Sequence, residues 1–276
     1  MDERPVVTCF LRNDGELLLL RRSDAVGSYR GRWGGVAGHV SDDNGRERKR
    51  ETAARAEIAE ETGLHDAITL VRSGEPFRVE DDDRRWLVHP YLFDCDSRAV
   101  EPSEETAEYE WVHAPEILHR ETVPRLWTSY DRVRPRVATL ADRDHGSAWL
   151  SLRALETLRD EAGLAMAGRN DTRETAERDG DDWAALADLA RRLRAARPAM
   201  AVLENRVNRV LTAASDERTP AAVERAARGA IEQSVDADRE AARLAADAIG
   251  GRVATLSRSG TVAAALRAAD PEAVLV

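Results

Sequence analysis

Three carboxylates on one face of a predicted helix constrain this chain more than any other feature. The segment AEIAEETGL places Glu57, Glu60 and Glu61 at positions i, i+3 and i+4, and Gly63 follows where many helices end. Like charges at this spacing destabilise a helix by roughly a few tenths of a kcal/mol per pair. A divalent cation would turn that repulsion into ligation, because Mg²⁺ binds carboxylate oxygens. The segment therefore indicates either a metal platform or a solvated acidic helix face.

The composition argues against several classes of protein. The 276 residues carry a formal net charge of −10, so we expect no general nucleic-acid-binding surface. The two cysteines, Cys9 and Cys95, lack the spacing of a metal site and indicate no disulfide framework. No apolar run approaches the roughly 18 residues of a membrane span, and the first residues lack a signal-peptide pattern. We therefore expect a cytoplasmic protein that does not enter a membrane.

The first half of the chain has mixed α/β character. An Asn-Asp-Gly turn at residues 13–15 separates two strand-like runs and predicts a β-hairpin. The other elements of this half follow from the periodicity of the apolar residues. The predicted strands are residues 6–11, 17–20, 86–93 and 109–112, and the predicted helices are residues 48–62 and 123–140.

The second half is rich in alanine and helical in pattern. Apolar residues recur with helical spacing from residue 147 onward, and the polar residues 168–182 predict a loop. Further helices are predicted at residues 183–196, 200–213, 220–233 and 236–249. A short strand at 253–256, a helix at 261–269 and a strand that begins at 273 follow. Because a core-type strand stands last, we expect relatives of this chain to contain a further segment.

The first half resembles the Nudix hydrolase family over about residues 4–135. The resemblance rests on WGGVAGHV at residues 33–40 and AEIAEETGL at residues 56–64, with a hairpin before them and the strand EYEWV after them. It implies an α/β/α sandwich with a mixed sheet, which cleaves a diphosphate linked to another group. It also implies Mg²⁺ or Mn²⁺, with Glu57 and Glu61 as metal ligands and Glu60 as a ligand or a residue that positions water. Glu105 or Glu108 is the candidate for a further base.

One departure from the family pattern lies beside the carboxylates. Ala56 occupies the position at which the family has an arginine that orients them. Arg55 is one residue away and therefore points about 100° elsewhere on the helix. We expect weakened catalysis or an altered metal geometry from this change.

A second departure is the spacing before the helix. Gly38 lies 19 residues before Glu57, which is longer than the family pattern, and residues 42–46 form the insertion. The earlier glutamate of the family is displaced by it. Glu47 and Glu51 are the candidates to replace that glutamate.

Two further residues near this segment are candidates for substrate contact. His39 follows the glycine of the loop before the helix. Trp33 either stacks on a base or anchors the loop, and the sequence leaves both interpretations open.

The second half, from about residue 145 to residue 276, resembles the initiation factor 2B regulatory-subunit family. That family includes ribose-1,5-bisphosphate isomerases and methylthioribose-1-phosphate isomerases. The motifs are GSA at residues 146–148, RPAM at 197–200 and VATLSRSGTV at 253–262. The resemblance implies a helical domain that leads into the beginning of a Rossmann-like α/β domain. We therefore predict two domains, at residues 1–140 and 145–276.

The last of these motifs is a candidate phosphate site. A strand leads through a Ser/Gly-rich loop into a helix N-terminus, where free N–H groups and the helix dipole favour an anion. The candidate residues for binding a nucleotide or sugar phosphate are Arg197, Ser257, Arg258, Ser259, Gly260 and Thr261. The alternative is an ordinary capped helix, in which Ser259 or Thr261 is the cap and Arg258 faces water.

Isomerase activity is not expected of the second half. The related isomerases carry a catalytic cysteine at the position of Ser257, and no cysteine follows Cys95. The second half is then a binding, regulatory or assembly module, and the resemblance implies a homodimer formed through it.

Two functions follow from these expectations. One is Mg²⁺-dependent hydrolysis of a nucleoside diphosphate-linked substrate by the first half, with the second half as a binding or assembly module. The other is a non-catalytic Nudix sensor that acts as a regulatory protein in translation initiation or nucleotide salvage. Ala56 favours the sensor, whereas the complete set of Glu57, Glu60 and Glu61 favours the enzyme.

Overall fold

The computed structural model of the protein describes residues 3–41, 49–81, 84–168, 182–256 and 259–276. The chain forms two compact units, Met1–Arg134 and Pro135–Val276, here called the first and the second unit. No helix in the described part of the chain combines the length and the apolar composition of a membrane span.

The first unit is built on one mixed sheet. Its strands are β1 (Arg4–Asn13), β2 (Glu16–Arg22), β3 (Trp33–Gly34), β4 (Val36–His39), β5 (Ile68–Ser73), β6 (Phe77–Asp81), β7 (Arg84–Cys95) and β8 (Thr106–Val112). In the described residues β1 and β7 pair in parallel, and the other ladders of the sheet are antiparallel. The predicted hairpin between β1 and β2 is confirmed, and its turn has positive φ at Asp14 and Gly15.

Helix α1 (Arg50–Thr62) packs against this sheet through a face that carries small and apolar residues. Ala53, Ala54 and Ile58 are fully buried in a core that β1, β2 and β7 also line. Gly63 ends the helix in the left-handed conformation, with φ of 71°, and its N–H bonds to the carbonyl of Ala59 at 3.0 Å. The predicted helix and its end are therefore confirmed.

The helix predicted at residues 123–140 is wrong. The chain instead forms the short helix α2 (Leu126–Asp131) and, beyond it, the 3-10 helix Val137–Ala141. Pro135 separates the two, because proline has no N–H to donate and disfavours helical backbone in the residue before it. A further 3-10 helix, Ala114–Leu118, and the strands β5 and β6 were not predicted.

The second unit is helical. Its helices are α3 (Ser147–Met166), α4 (Asp182–Ala196), α5 (Ala201–Ala213), α6 (Pro220–Ala248) and α7 (Gly260–Ala269). A parallel pair of short strands, β9 (Arg252–Ala254) and β10 (Ala273–Leu275), flanks α7 in the chain. The predicted α/β class, with a mixed sheet followed by a helical region, is confirmed.

One long helix, α6, replaces the two that were predicted at residues 220–233 and 236–249. The sequence pattern weakens around Ser234 and Val235, but both residues are buried. Packing against α3 therefore carries the helix through the predicted break. The loop predicted at 168–182 lies almost wholly outside the described residues.

We expect Gly63→Ala to destabilise the first unit by about 1 kcal/mol, because a side chain disfavours positive φ. The added Cβ would also lie 3.2 Å from the Cβ of Glu101. Urea unfolding followed by tryptophan fluorescence measures the change. Gly229→Ala, inside α6 with open space around it, is the matched control and should stabilise by about 0.5–1 kcal/mol. Equal shifts in the two variants would contradict this account of Gly63.

Candidate functional site

An open cleft of about 1020 Å³ lies in the first unit. Its wall is formed by residues of β1, β4, β7, α1 and α2 and of the loop after β2. Charged and polar side chains on this wall include Arg22, His39, Glu57, Glu60 and Glu105. Two of the three carboxylates predicted from the helix pattern therefore face the cleft.

Glu57 lies directly against the backbone of β4. A Cβ added to Gly38 would come within 1.9 Å of the carboxyl carbon of Glu57. No side chain at position 38 is compatible with the observed position of this carboxylate. The Gly-rich segment before α1 thus holds Glu57 at the end of the cleft by leaving room for it.

Glu61 is partly buried beside Glu57 rather than exposed on the cleft wall. Its Oε1 accepts a hydrogen bond of 3.1 Å from the N–H of Ala37. Burial raises the pKa of Glu61 from 4.5 to about 8, and the negative charges of Glu57 and Glu105 add to that rise. The Ala37 N–H and the positive charge of Arg22 lower the pKa but do not offset the burial. In the metal-free protein Glu61 therefore holds a proton at neutral pH.

Cys9 forms the floor beneath these carboxylates. Its thiol is fully buried, and burial raises its pKa well above the ordinary value, followed by the charges of Glu61 and Glu57. The Sγ lies 3.9 Å from the carbonyl oxygen of Ala54 on α1. Cys9 thus fills the space between helix and sheet with an uncharged group.

Arg55 does not replace the arginine that is absent at Ala56. Its Nε donates to Glu51 Oε1 at 3.0 Å, and its guanidinium lies 5.3 Å from the ring centroid of Phe93. Glu51, a candidate for the displaced family glutamate, is exposed and bound to Arg55. The other candidate, Glu47, lies outside the described residues.

The two candidate bases lie on either side of a β-bulge: Glu108 is on β8, and Glu105 immediately precedes that strand. The register between β2 and β8 shifts between Arg21 and Arg22. Arg21 pairs with Glu108 at 3.3 Å on an exposed surface, whereas Arg22 and Glu105 line the cleft. Of the two candidates, Glu105 is therefore the one near the carboxylates.

The aromatic residues of the cleft differ from those that the sequence indicated. Trp33 lies outside the cleft wall, with the guanidinium of Arg120 4.6 Å from its ring centroid, which agrees with the loop-anchor interpretation. Trp86 and Tyr29 line the cleft instead, and His39 lies 5.9 Å from Trp86 between ring centroids. The sequence carries no local signal for this, because the position of Trp86 in the cleft depends on the pairing of β1 with β7, in which Trp86 lies opposite Arg4.

The carboxylates fit a divalent cation by their chemistry. Two of them lie together at one end of the cleft: Glu57 is packed against Gly38, and Glu61 is neutral at pH 7 unless a cation replaces its proton. An all-oxygen set of this kind suits Mg²⁺ or Mn²⁺. Glu60, exposed on the cleft wall, offers another oxygen. In the part of the chain that the structure describes, no three acidic, histidine or cysteine side chains are already arranged around a metal position.

The candidate phosphate residues of the second unit have structural partners. Ser259 Oγ accepts a hydrogen bond of 3.2 Å from the N–H of Val262 and caps α7, whose first residues are Gly260 and Thr261. Ser257 and Arg258 lie outside the described residues. The arrangement of Ser259 agrees with the capped-helix interpretation.

Arg197, the remaining candidate, is held by the backbone near the start of the second unit. Its guanidinium donates to the carbonyl oxygens of Leu140 and Asp142. These bonds close the C-terminal end of the 3-10 helix Val137–Ala141. Arg197 and Ser259 therefore both form hydrogen bonds with backbone groups of the second unit.

Two family models match the chain, one for each half. Residues 2–137 match the NUDIX domain, and residues 143–276 match the initiation factor 2 subunit family. Both resemblances noted in the sequence are confirmed by these matches. No curated protein matches the chain.

Several solved structures are similar to the first half. A MutT protein from Methanosarcina mazei Go1 is 26% identical over 48% of this chain and 94% of its own length, with a TM-score of 0.40. A MutT NUDIX hydrolase from Burkholderia pseudomallei is 24% identical over 48% of this chain and 99% of its own length, with a TM-score of 0.36.

The raised pKa of Glu61 predicts how stability depends on pH without metal. Between pH 4.5 and about 8 the folded protein holds a proton that the unfolded chain releases. The free energy of unfolding should therefore fall as pH rises through this window, by at most about 1.4 kcal/mol per pH unit. Glu61→Gln removes this contribution, so the difference between wild type and variant should change with pH. Urea unfolding in EDTA across the window measures it, and parallel pH profiles would contradict the prediction.

Proposed function

We propose that this chain, in which a NUDIX hydrolase domain is fused to a region of the initiation factor 2 subunit family, hydrolyses a nucleoside diphosphate-linked substrate with the help of Mg²⁺ or Mn²⁺. The observation that carries the proposal is the pair of carboxylates at the end of the cleft. Glu57 is packed against Gly38, and Glu61 is partly buried beside it with a pKa raised to about 8. A divalent ion bound here would take the place of the proton on Glu61 and bind both carboxylates.

Glu57 and Glu61 would hold the cation, with Glu60 as a third oxygen donor on the cleft wall. When bound, such an ion neutralises phosphate oxygens and makes a water molecule more acidic. The protein's own groups fix the arrangement: the Ala37 N–H orients Glu61, and Gly38 leaves the space that Glu57 occupies. Glu105, on the same wall, is the candidate to accept a proton from the attacking water.

A second candidate function is a non-catalytic Nudix sensor with a regulatory role in translation initiation or nucleotide salvage. The observation that favours it is the absence of an arginine beside the carboxylates on α1. Ala56 occupies that position, and Arg55 is bound to Glu51. A sensor would bind the same ligand but would not turn it over.

For residues 143–276 we propose a binding or assembly role without catalysis. Three leucines of this unit are more than half exposed, namely Leu244, Leu256 and Leu275. β10 is exposed along its length, although parallel strands are usually covered on both faces. These features support a homodimer formed through this unit, whereas Arg197 and Ser259 already have backbone partners. Binding of a nucleotide or a sugar phosphate is the alternative role of this unit.

The hydrolase proposal predicts the response of three glutamates. Glu57→Gln, Glu60→Gln and Glu61→Gln should each lower turnover by on the order of a hundredfold or more, because each removes a charge at the reaction centre. Phosphate release from nucleoside di- and triphosphates, nucleotide sugars and dinucleoside polyphosphates in Mg²⁺ measures it. Glu51→Gln, on the same helix but exposed and bound to Arg55, is the control and should leave turnover within about twofold.

Two outcomes would contradict the hydrolase proposal in different ways. Absence of turnover on the whole panel, together with Mg²⁺-dependent binding of a nucleotide, would favour the sensor. Turnover that is equal in wild type and in all three variants would place the reaction elsewhere.

The assembly proposal predicts that the full chain self-associates. In sedimentation velocity, Leu256→Ser combined with Leu275→Ser should weaken the dimer by about tenfold or more, because two exposed leucines lose their burial. Tyr109→Ser removes an exposed aromatic residue from the first unit and is the control. A wild-type chain that stays monomeric at all concentrations would reject the dimer, and titration with AMP and ribose phosphates would then test the alternative.

A further inference from the structure

The end of β2 carries two consecutive arginines, which point to opposite faces of the strand. Arg21 reaches the exposed carboxylate of Glu108, with an N–O distance of 3.3 Å. Arg22 continues the face of β2 that carries Leu18 and Leu20, which pack in the core beneath α1. It therefore reaches the cleft wall on the side of the carboxylates.

Arg22 is fixed in place at three points. Its backbone N–H donates to the carbonyl of Arg32 at 3.0 Å, and its own carbonyl accepts from the N–H of Gly31 at 2.9 Å. Its side-chain Nε donates to the carbonyl of Ser28 at 3.0 Å. The loop after β2 thus holds the guanidinium through one nitrogen and orients it.

The two terminal nitrogens of Arg22 are left available by this arrangement. Within the described residues they make no hydrogen bond and no ion pair, although Glu57, Glu60 and Glu105 line the same cleft. The positive charge of Arg22 nevertheless acts on Glu61, whose pKa it lowers against the effect of burial. An anchored guanidinium that faces an acidic cluster without pairing to it can accept an oxyanion between the two.

We propose that Arg22 is a substrate-binding residue whose terminal nitrogens contact a phosphate oxygen of the diphosphate. The cation on Glu57 and Glu61 would hold the same diphosphate from the opposite side. The planar fork of arginine suits phosphate oxygens, and such charge-assisted bonds are among the stronger ones in proteins. The inference rests on the proposed function only in assuming that a diphosphate enters the cleft, and it applies equally to a hydrolase and to a sensor.

Binding of inorganic pyrophosphate to the full chain in Mg²⁺, measured by isothermal titration, tests this role without any turnover. Arg22→Gln should weaken binding by about 10- to 100-fold, the usual effect of losing a hydrogen bond to a charged group. Arg22→Lys keeps the positive charge but lacks the planar fork, so its affinity for pyrophosphate should lie between those of Arg22→Gln and wild type. Arg21→Gln is the matched control and should bind like wild type, and melting temperatures show whether each variant is folded.

A second substitution separates phosphate contact from a role in orienting the carboxylates. If Arg22 only oriented Glu57 and Glu61, an arginine restored on α1 in Arg22→Gln/Ala56→Arg would recover binding. We expect no recovery, because position 56 lies on the helix and not on the strand that faces the phosphate. Recovery in the double variant, wild-type affinity in Arg22→Gln, or absence of pyrophosphate binding by wild type would each overturn the proposal. Loss of turnover alone would bear on the hydrolase and not on Arg22.

Discussion

The packing of α1 against the sheet is the interaction on which the candidate site depends. Full burial of Ile58 alone contributes roughly 1.5–3 kcal/mol, and Ala53 and Ala54 are buried with it. The repulsion between carboxylates on the helix costs roughly a few tenths of a kcal/mol per pair. Packing therefore prevails, and it brings Glu57 and Glu61 to a position that an isolated helix would not favour. The acidic site is therefore a consequence of the apolar contacts that the same helix makes with the sheet.

The backbone around α1 provides what this forced arrangement requires. Gly38 gives the carboxylate of Glu57 space, and the N–H of Ala37 binds Glu61. These contacts orient the two carboxylates. A proton on Glu61 or, in the proposed site, a divalent cation on both residues would reduce their negative charge. Because the two compete for the same oxygens, cation binding would release the proton, and the cation affinity would rise with pH.

Local sequence patterns predicted the parts of the structure that local interactions determine. The Asn-Asp-Gly turn and the spacing of Glu57, Glu60 and Glu61 with Gly63 were sufficient to predict the hairpin and α1. The helix predicted at residues 123–140 failed because Pro135 interrupts it, and α6 continued through a weak pattern because tertiary packing supports it. The alternation along β2 places Arg22 on the face of Leu18 and Leu20, but its position near the carboxylates had no local signal, since it depends on how α1 packs against the sheet.

The absence of an arginine at position 56 changes which groups can bind the carboxylate oxygens of α1. A guanidinium on α1 would pair with the carboxylates and compete with a cation for their oxygens. The guanidinium of Arg22, anchored on a strand and not paired with them, leaves those oxygens to the cation. Its terminal nitrogens would then contact the ligand, as proposed. In the proposed role of Arg22, such an arrangement would bind a diphosphate whether or not a water molecule is activated beside it. The difference between an enzyme and a sensor then lies in the groups that handle that water, of which Glu105 and Glu60 are the nearest candidates on the cleft wall.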